Sequence, residues 1–121
     1  MKPSPFQLIR FHGRTYVVTI APVFYNTEAG TRKVPAGFIS DGASIPCFFW
    51  RLIGHPFDLD YLTEAVCHDH MYRLQDVSRK FADRWFFRAL ERHRVRRVLF
   101  LIALRLFGWI AWERNRRRLH R

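Results

Sequence analysis

The sequence predicts an α+β chain: a small N-terminal antiparallel sheet, then a helical hairpin, then a long basic and apolar C-terminal helix. Three observations carry this. Runs rich in β-branched and aromatic residues occupy positions 6–40, whereas capping residues and helical spacing take over beyond about residue 58. The positive charge is also confined to one region. The 21 Lys and Arg against 10 Asp and Glu leave +11. Through Ser78 seven basic residues balance seven acidic ones, and from Arg79 onward fourteen face three, so the whole excess sits in the last third. A length of 121 residues suits one domain. It reads as 1–91, with 92–121 a helical extension of the same domain.

Phe6–Phe11 is the first strand, His12-Gly13 a tight turn, and Arg14–Ile20 a second strand that Pro22 ends or marks as an edge. Phe24 and Tyr25 extend this run toward a turn near Asn26–Gly30. A further strand runs from Lys33 to Ile39, interrupted by Pro35 and Gly37, and the set is expected to form one antiparallel sheet. Ser40–Pro46 is a loop by its Asp-Gly and Pro punctuation. Cys47–Ile53 reads as a short helix ended by Gly54 and Pro56. Asp58 or Asp60 caps a helix running to about Leu74, and Asp76 or Ser78 caps the next. That last helix starts near Arg79 and continues, bent or broken, toward the C-terminus.

His68 and Tyr72, four apart, share one helix face, with Asp69 about 100° round from His68. With the turn centred near Asp76, His68 lies eight residues before it and Asp83 seven after it. At 1.5 Å per residue both stand roughly 11 to 12 Å from the turn. If the faces agree, Asp83 reaches one nitrogen of His68 and the other nitrogen serves as a proton acceptor, which is the pairing general-base catalysis needs. Asp69 is left to hold a cation or to bond backbone amides. The alternative is structural: His68, Tyr72 and Asp83 form a buried polar network locking the helix pair. A catalytic His68 needs an edge open to water at the base of a cleft, whereas a structural one is sealed under aromatics such as Trp50 and Phe86. His12 and His70 have no partner pattern and read as surface residues. A metal-dependent His-Asp phosphohydrolase would need further ligands, for which His55 is the one candidate.

His68-Asp69-x-x-Tyr72 followed by Ala82-Asp83-Arg84-x-Phe86 resembles the catalytic helix pair of the phospholipase A2 superfamily, in particular its compact, cysteine-poor form in parvovirus capsid proteins. The resemblance implies that His68 activates a water against a lipid ester, that Asp69 helps bind calcium, that Asp83 orients His68, and that Tyr72 supports the set. The superfamily's Tyr-x-Gly-x-Gly calcium loop is absent, and neither Ser40–Pro46 nor Arg51–Pro56 replaces it. A hard cation wants several oxygens. A second resemblance spans about residues 34–90. Val34-Pro-Ala-Gly-Phe-x-x-Asp41-Gly-Ala-Ser-Ile-Pro46, with His68-Asp69-x-x-Tyr72 and Ala82-Asp83, is similar to the phage-associated domain of unknown function family 1353. It implies a phage or prophage origin. If the loop folds over the helix pair, Asp41, Gly42 and Ser44 join the site as ligand-binding residues; otherwise Asp41 simply caps backbone amides.

The stretch Val98–Trp112 holds fifteen residues with Arg105 at its middle, between arginine-rich flanks. As a helix it is roughly 22 Å long against a hydrocarbon core of about 30 Å, so a spanning segment is not expected. Two placements stay open for 92–121. It lies in an anionic membrane interface, with Trp109 and Trp112 at headgroup level. Alternatively it packs on the protein's own sheet, a partner protein or a second copy in a homo-oligomer. Nucleic acid is the weaker partner class, since the block between the arginines is too apolar for a solvated phosphate-binding face. Cys47 and Cys67 are too few for a disulfide framework and read as buried free thiols, with a single bridge as the alternative. Met1–Arg10 does not resemble a secretory signal. The expected setting is the host cytoplasm, peripheral to the inner membrane, or a virion. Two functions follow from these readings: a membrane-associated phage hydrolase of lipid or envelope esters, or a non-catalytic phage accessory or structural protein whose basic helix docks a partner.

Overall fold

Between Phe6 and Ser40 the chain forms five strands in two antiparallel sheets, rather than the single sheet its sequence predicts. The computed structural model describes residues 4–40 and 62–119. They fall in two compact units, Met1–Asp41 and Gly42–Arg121. In the first unit, β1 (Phe6–Phe11) and β2 (Arg14–Thr19) pair from Phe6↔Thr19 to Phe11↔Arg14. The two-residue connection has φ of 51° at His12 and 75° at Gly13. Two consecutive positive φ values are what a hairpin turn matching strand twist requires.

The second sheet arises because proline interrupts the ladder twice. After Pro22 the chain starts a new strand, β3 (Val23–Thr27), which pairs with β4 (Gly30–Val34) across Val23↔Val34 to Thr27↔Gly30. β4 therefore begins earlier than expected and stops before Pro35, which has no N–H to donate. What remains is β5 (Ile39–Ser40), which returns to pair with β2 at Val18↔Ile39 and Val17↔Ser40. Thr19 holds the intervening turn. Its hydroxyl donates to Pro35 O at 2.6 Å and accepts from Phe38 N at 3.0 Å. Val17, Thr19, Val23, Tyr25, Val34, Phe38 and Ser40 are buried, and the unit closes around them.

The described residues of the second unit form three helices: α1 (Leu62–Leu74), α2 (Arg79–Ala89) and α3 (Arg94–Leu119). The end of α1 agrees with the sequence, while the suggested caps Asp58 and Asp60 and the helix 47–53 lie outside the described residues. Gln75 closes the hairpin with φ of 55°, its N–H bonded to Met71 O at 2.9 Å. Of the two cap candidates it is Ser78 that serves, its hydroxyl accepting from Phe81 N at 3.0 Å. The helix started at Arg79 is broken at Leu90–His93, where α2 gives way to α3. Ala65, Phe86, Leu90, Phe100, Ala103 and Leu104 form the core of the unit, flanked by Trp85 and Leu99. Phe86 and Phe100 meet edge to face at 5.2 Å.

The cap gives a direct test. Ser78→Ala should cost about 1 kcal/mol of stability. Urea unfolding should show a lower midpoint with unchanged slope, and Ser78→Asp should restore most of the loss.

Candidate functional site

Helix α1 is buried on almost every side, which explains how it can hold polar side chains inside the unit. Leu62, Ala65, Val66, Cys67, His68, His70, Met71 and Tyr72 are all buried. His70 is thus a core residue rather than the surface residue its sequence suggests. Burial, the largest influence on it, lowers its pKa below the usual histidine value. The same desolvation, helped by the charge of Glu64, pushes the Cys67 thiol up to about 12. Cys67 is a free, inert thiol.

The hairpin brings His68 and Asp83 to the same height with facing sides. His68 Nε2 lies 2.9 Å from Asp83 Oδ1, and the Tyr72 hydroxyl donates to that same oxygen at 2.7 Å. An ionised carboxylate only accepts hydrogen bonds. As the donor to that carboxylate His68 carries a proton on Nε2, and in the neutral tautomer of that form Nδ1 holds the lone pair. Burial first, then the charge of Asp83 and the hydrogen bond to it, raise the Tyr72 pKa. Tyr72 stays a donor. Its ring is tilted against that of His68 at 4.6 Å, and Phe86 stacks on His68 at 4.8 Å.

His68 is 2 % exposed and Asp83 6 %. This is the burial a structural network requires, with Phe86 in the covering position; Trp50 lies outside the described residues. Asp69 is half-buried on the adjoining face, close enough for its charge to act on Tyr72. The loop residues Asp41, Gly42 and Ser44, and also His55, lie outside the described residues. Among the described residues no group of three His, Cys, Asp or Glu side chains is placed to hold a metal ion. Asp69 on its own does not make the oxygen shell calcium needs.

One contributor escapes a motif-based reading. Gly108 of α3 sits against the site so closely that a Cβ there would lie 2.7 Å from the Tyr72 hydroxyl. Two other contacts join the same helices: Trp112 meets the Tyr72 ring edge to face at 5.1 Å, and Gln75 Nε2 donates to Trp112 O at 2.6 Å. The available signal was a glycine inside a long helix, where it costs about 1 kcal/mol relative to alanine and so implies close packing.

A family profile described as "Protein of unknown function (DUF1353)" matches residues 17–111, extending the resemblance seen at about 34–90 in both directions. The uncharacterized protein y4jT of Sinorhizobium fredii is 54 % identical over 37 residues, which is 31 % of this chain. That alignment spans 11 % of the y4jT length. No solved structure matches the chain.

Two outcomes test this geometry. Gly108→Ala should destabilise the protein by about 1–3 kcal/mol through overpacking. Most of that loss should vanish in a Tyr72→Phe background, where the obstructing hydroxyl is gone, and a double-mutant cycle in urea reads the coupling. Cys67 should resist iodoacetamide in the native protein near pH 8 and react fully after denaturation, as peptide mass mapping would show.

Proposed function

From the premise that the chain belongs to the DUF1353 family, we propose that it is a phage- or prophage-encoded hydrolase of lipid or envelope esters, with His68 as general base. The observation that carries this reading is the shared carboxylate oxygen: Asp83 Oδ1 takes both His68 Nε2 and the Tyr72 hydroxyl. That arrangement leaves the proton-accepting lone pair on Nδ1. The three side chains lie on two helices joined by a short turn, and by resemblance of their sequence alone they take the places of the phospholipase A2 helix pair. In the reaction, which requires the rings over His68 to part and admit water and ester to an imidazole that is 2 % exposed, Nδ1 takes a proton from water as the water oxygen bonds to the ester carbonyl carbon. The bond from that carbon to the alkoxy oxygen then breaks, and the imidazolium returns the proton to the leaving alkoxide. Acid and alcohol are released, and the base is regenerated. Asp83 holds the ring in this tautomer and offsets the positive charge that forms on it, while Tyr72 holds Asp83.

A second reading is favoured by a specific observation, the 2 % exposure of His68 beneath Phe86. In it the three side chains lock the hairpin of a non-catalytic phage accessory or structural protein. The two readings predict different assays. With phosphatidylglycerol and phosphatidylethanolamine vesicles, the hydrolase should release fatty acid. His68→Ala and Asp83→Asn should then lower the rate by about 10²-fold or more while circular dichroism stays native. Parallel arms with added calcium and with chelator report whether Asp69 takes part in holding an ion. Equal background release from the wild type and His68→Ala removes the hydrolase and leaves the structural network.

A further inference from the structure

Helix α3 presents two different faces. Phe100, Ala103, Leu104, Gly108 and Ala111, at three- and four-residue spacing, are buried. On the opposite side Val95, Val98, Ile102, Leu106, Trp109 and Ile110 are exposed, Leu106 and Trp109 to 56 % each. By helical phase these six form one stripe, with Arg94 and Arg105 along one edge and Arg116 and Arg117 beyond its C-terminal end, where both pair with Glu113. A soluble helix keeps polar residues on its outer face, so an exposed apolar stripe of this length marks a contact surface.

We propose that this outer face of α3 docks in the plane of an anionic lipid bilayer. Three features select that occupant. The +11 charge of the chain lies wholly from Arg79 onward, the right sign and place for acidic headgroups. Apolar residues run along the stripe, with arginines along one edge and past its C-terminal end, the pattern of a helix lying at the acyl boundary. Near the C-terminal end Trp109 and Ile110 share a shallow hollow of about 490 Å³ with Glu113, Arg114, Arg117 and Arg118. Its lining puts apolar side chains beside three guanidinium groups and one carboxylate, Glu113, which pairs with Arg117; the net positive charge beside apolar groups suits the junction between an acyl chain and a headgroup phosphate. Among the described residues no helix is long and apolar enough to cross a membrane, so α3 lies along the surface rather than through it.

This proposal does not depend on whether His68 is a base. It nevertheless bears on the site, because the inner face of the same helix rests on the Tyr72 hydroxyl through Gly108 and on the Tyr72 ring through Trp112. Lipid on one side of α3 and Tyr72 on the other are separated by a single helix.

The test uses the full chain and sedimentation with vesicles of phosphatidylcholine alone or mixed with phosphatidylglycerol. Binding should require phosphatidylglycerol. Ile102→Asp and Leu106→Asp, both at exposed positions, should each weaken it about tenfold or more, the value of one buried aliphatic side chain. Brominated acyl chains should quench tryptophan fluorescence in the wild type, and Trp109→Phe should lose much of that quenching, which keeps the test valid if an aspartate variant folds poorly. Vesicle binding unchanged by both aspartates, together with no quenching, overturns the proposal. It is equally overturned if the wild type ignores vesicles but forms a dimer that those variants dissociate, or if it binds duplex DNA and not lipid.

Discussion

The helical unit depends on satisfying one buried carboxylate. Asp83 is almost fully removed from water, and a carboxylate in that position is costly unless donors replace its solvation. Both donors come from the neighbouring helix, four residues apart, and converge on a single oxygen. That requirement fixes the register of the hairpin. A slip of one residue along α2 would turn Asp83 by about 100° away from α1 and strand its charge. The short connection through Gln75 and the Ser78 cap makes the register attainable, and the apolar contacts around Phe86 then close over it. The polar set thus supplies specificity that the surrounding aromatic packing would not supply alone.

The third helix completes this arrangement by approaching unusually near. With any side chain at position 108, the Tyr72 hydroxyl and the backbone of α3 would compete for the same space. Glycine yields helix propensity there in exchange for contact. The same approach brings Trp112 onto the Tyr72 ring and its carbonyl onto Gln75. The hairpin turn, the donor tyrosine and the C-terminal helix therefore form one connected structure. A displacement of α3 cannot leave Tyr72, and through it Asp83, untouched.

The legible parts of this design are those that rest on periodicity. The spacing of His68 and Tyr72 and the equal heights of His68 and Asp83 about the turn follow from helix geometry, and the contacts occur where those distances place them. The first hairpin is legible for a similar reason, since two β-rich runs flank a two-residue connection ending in glycine. Other features depend on partners that a single segment does not reveal. Pro22 and Pro35 were visible as interruptions, but their effect of dividing the strands between two sheets depended on which strands found each other. His70 looked like a surface residue because its surroundings are not encoded in its own helix; α1 is enclosed nearly all round. Gly108 shows the same limit, because its neighbour across the helix interface lies 36 positions away in the chain.

Burial of His68 is the physical point on which catalysis and structure divide. A desolvated imidazole–carboxylate hydrogen bond is stronger than an exposed one, because solvent screens it less, and this holds the His68 ring in a fixed orientation. The same desolvation restricts the water that hydrolysis must supply. Among the described residues Phe86 and Tyr72 place their rings against the imidazole. Phe86 is tied into the core through Phe100, while Tyr72 is tied to α3 through Gly108 and Trp112. Both rings belong to contacts made by α3. The seating of α3 therefore acts on both of these rings, so the outer stripe of α3 and the polar set beneath it belong to one mechanical problem.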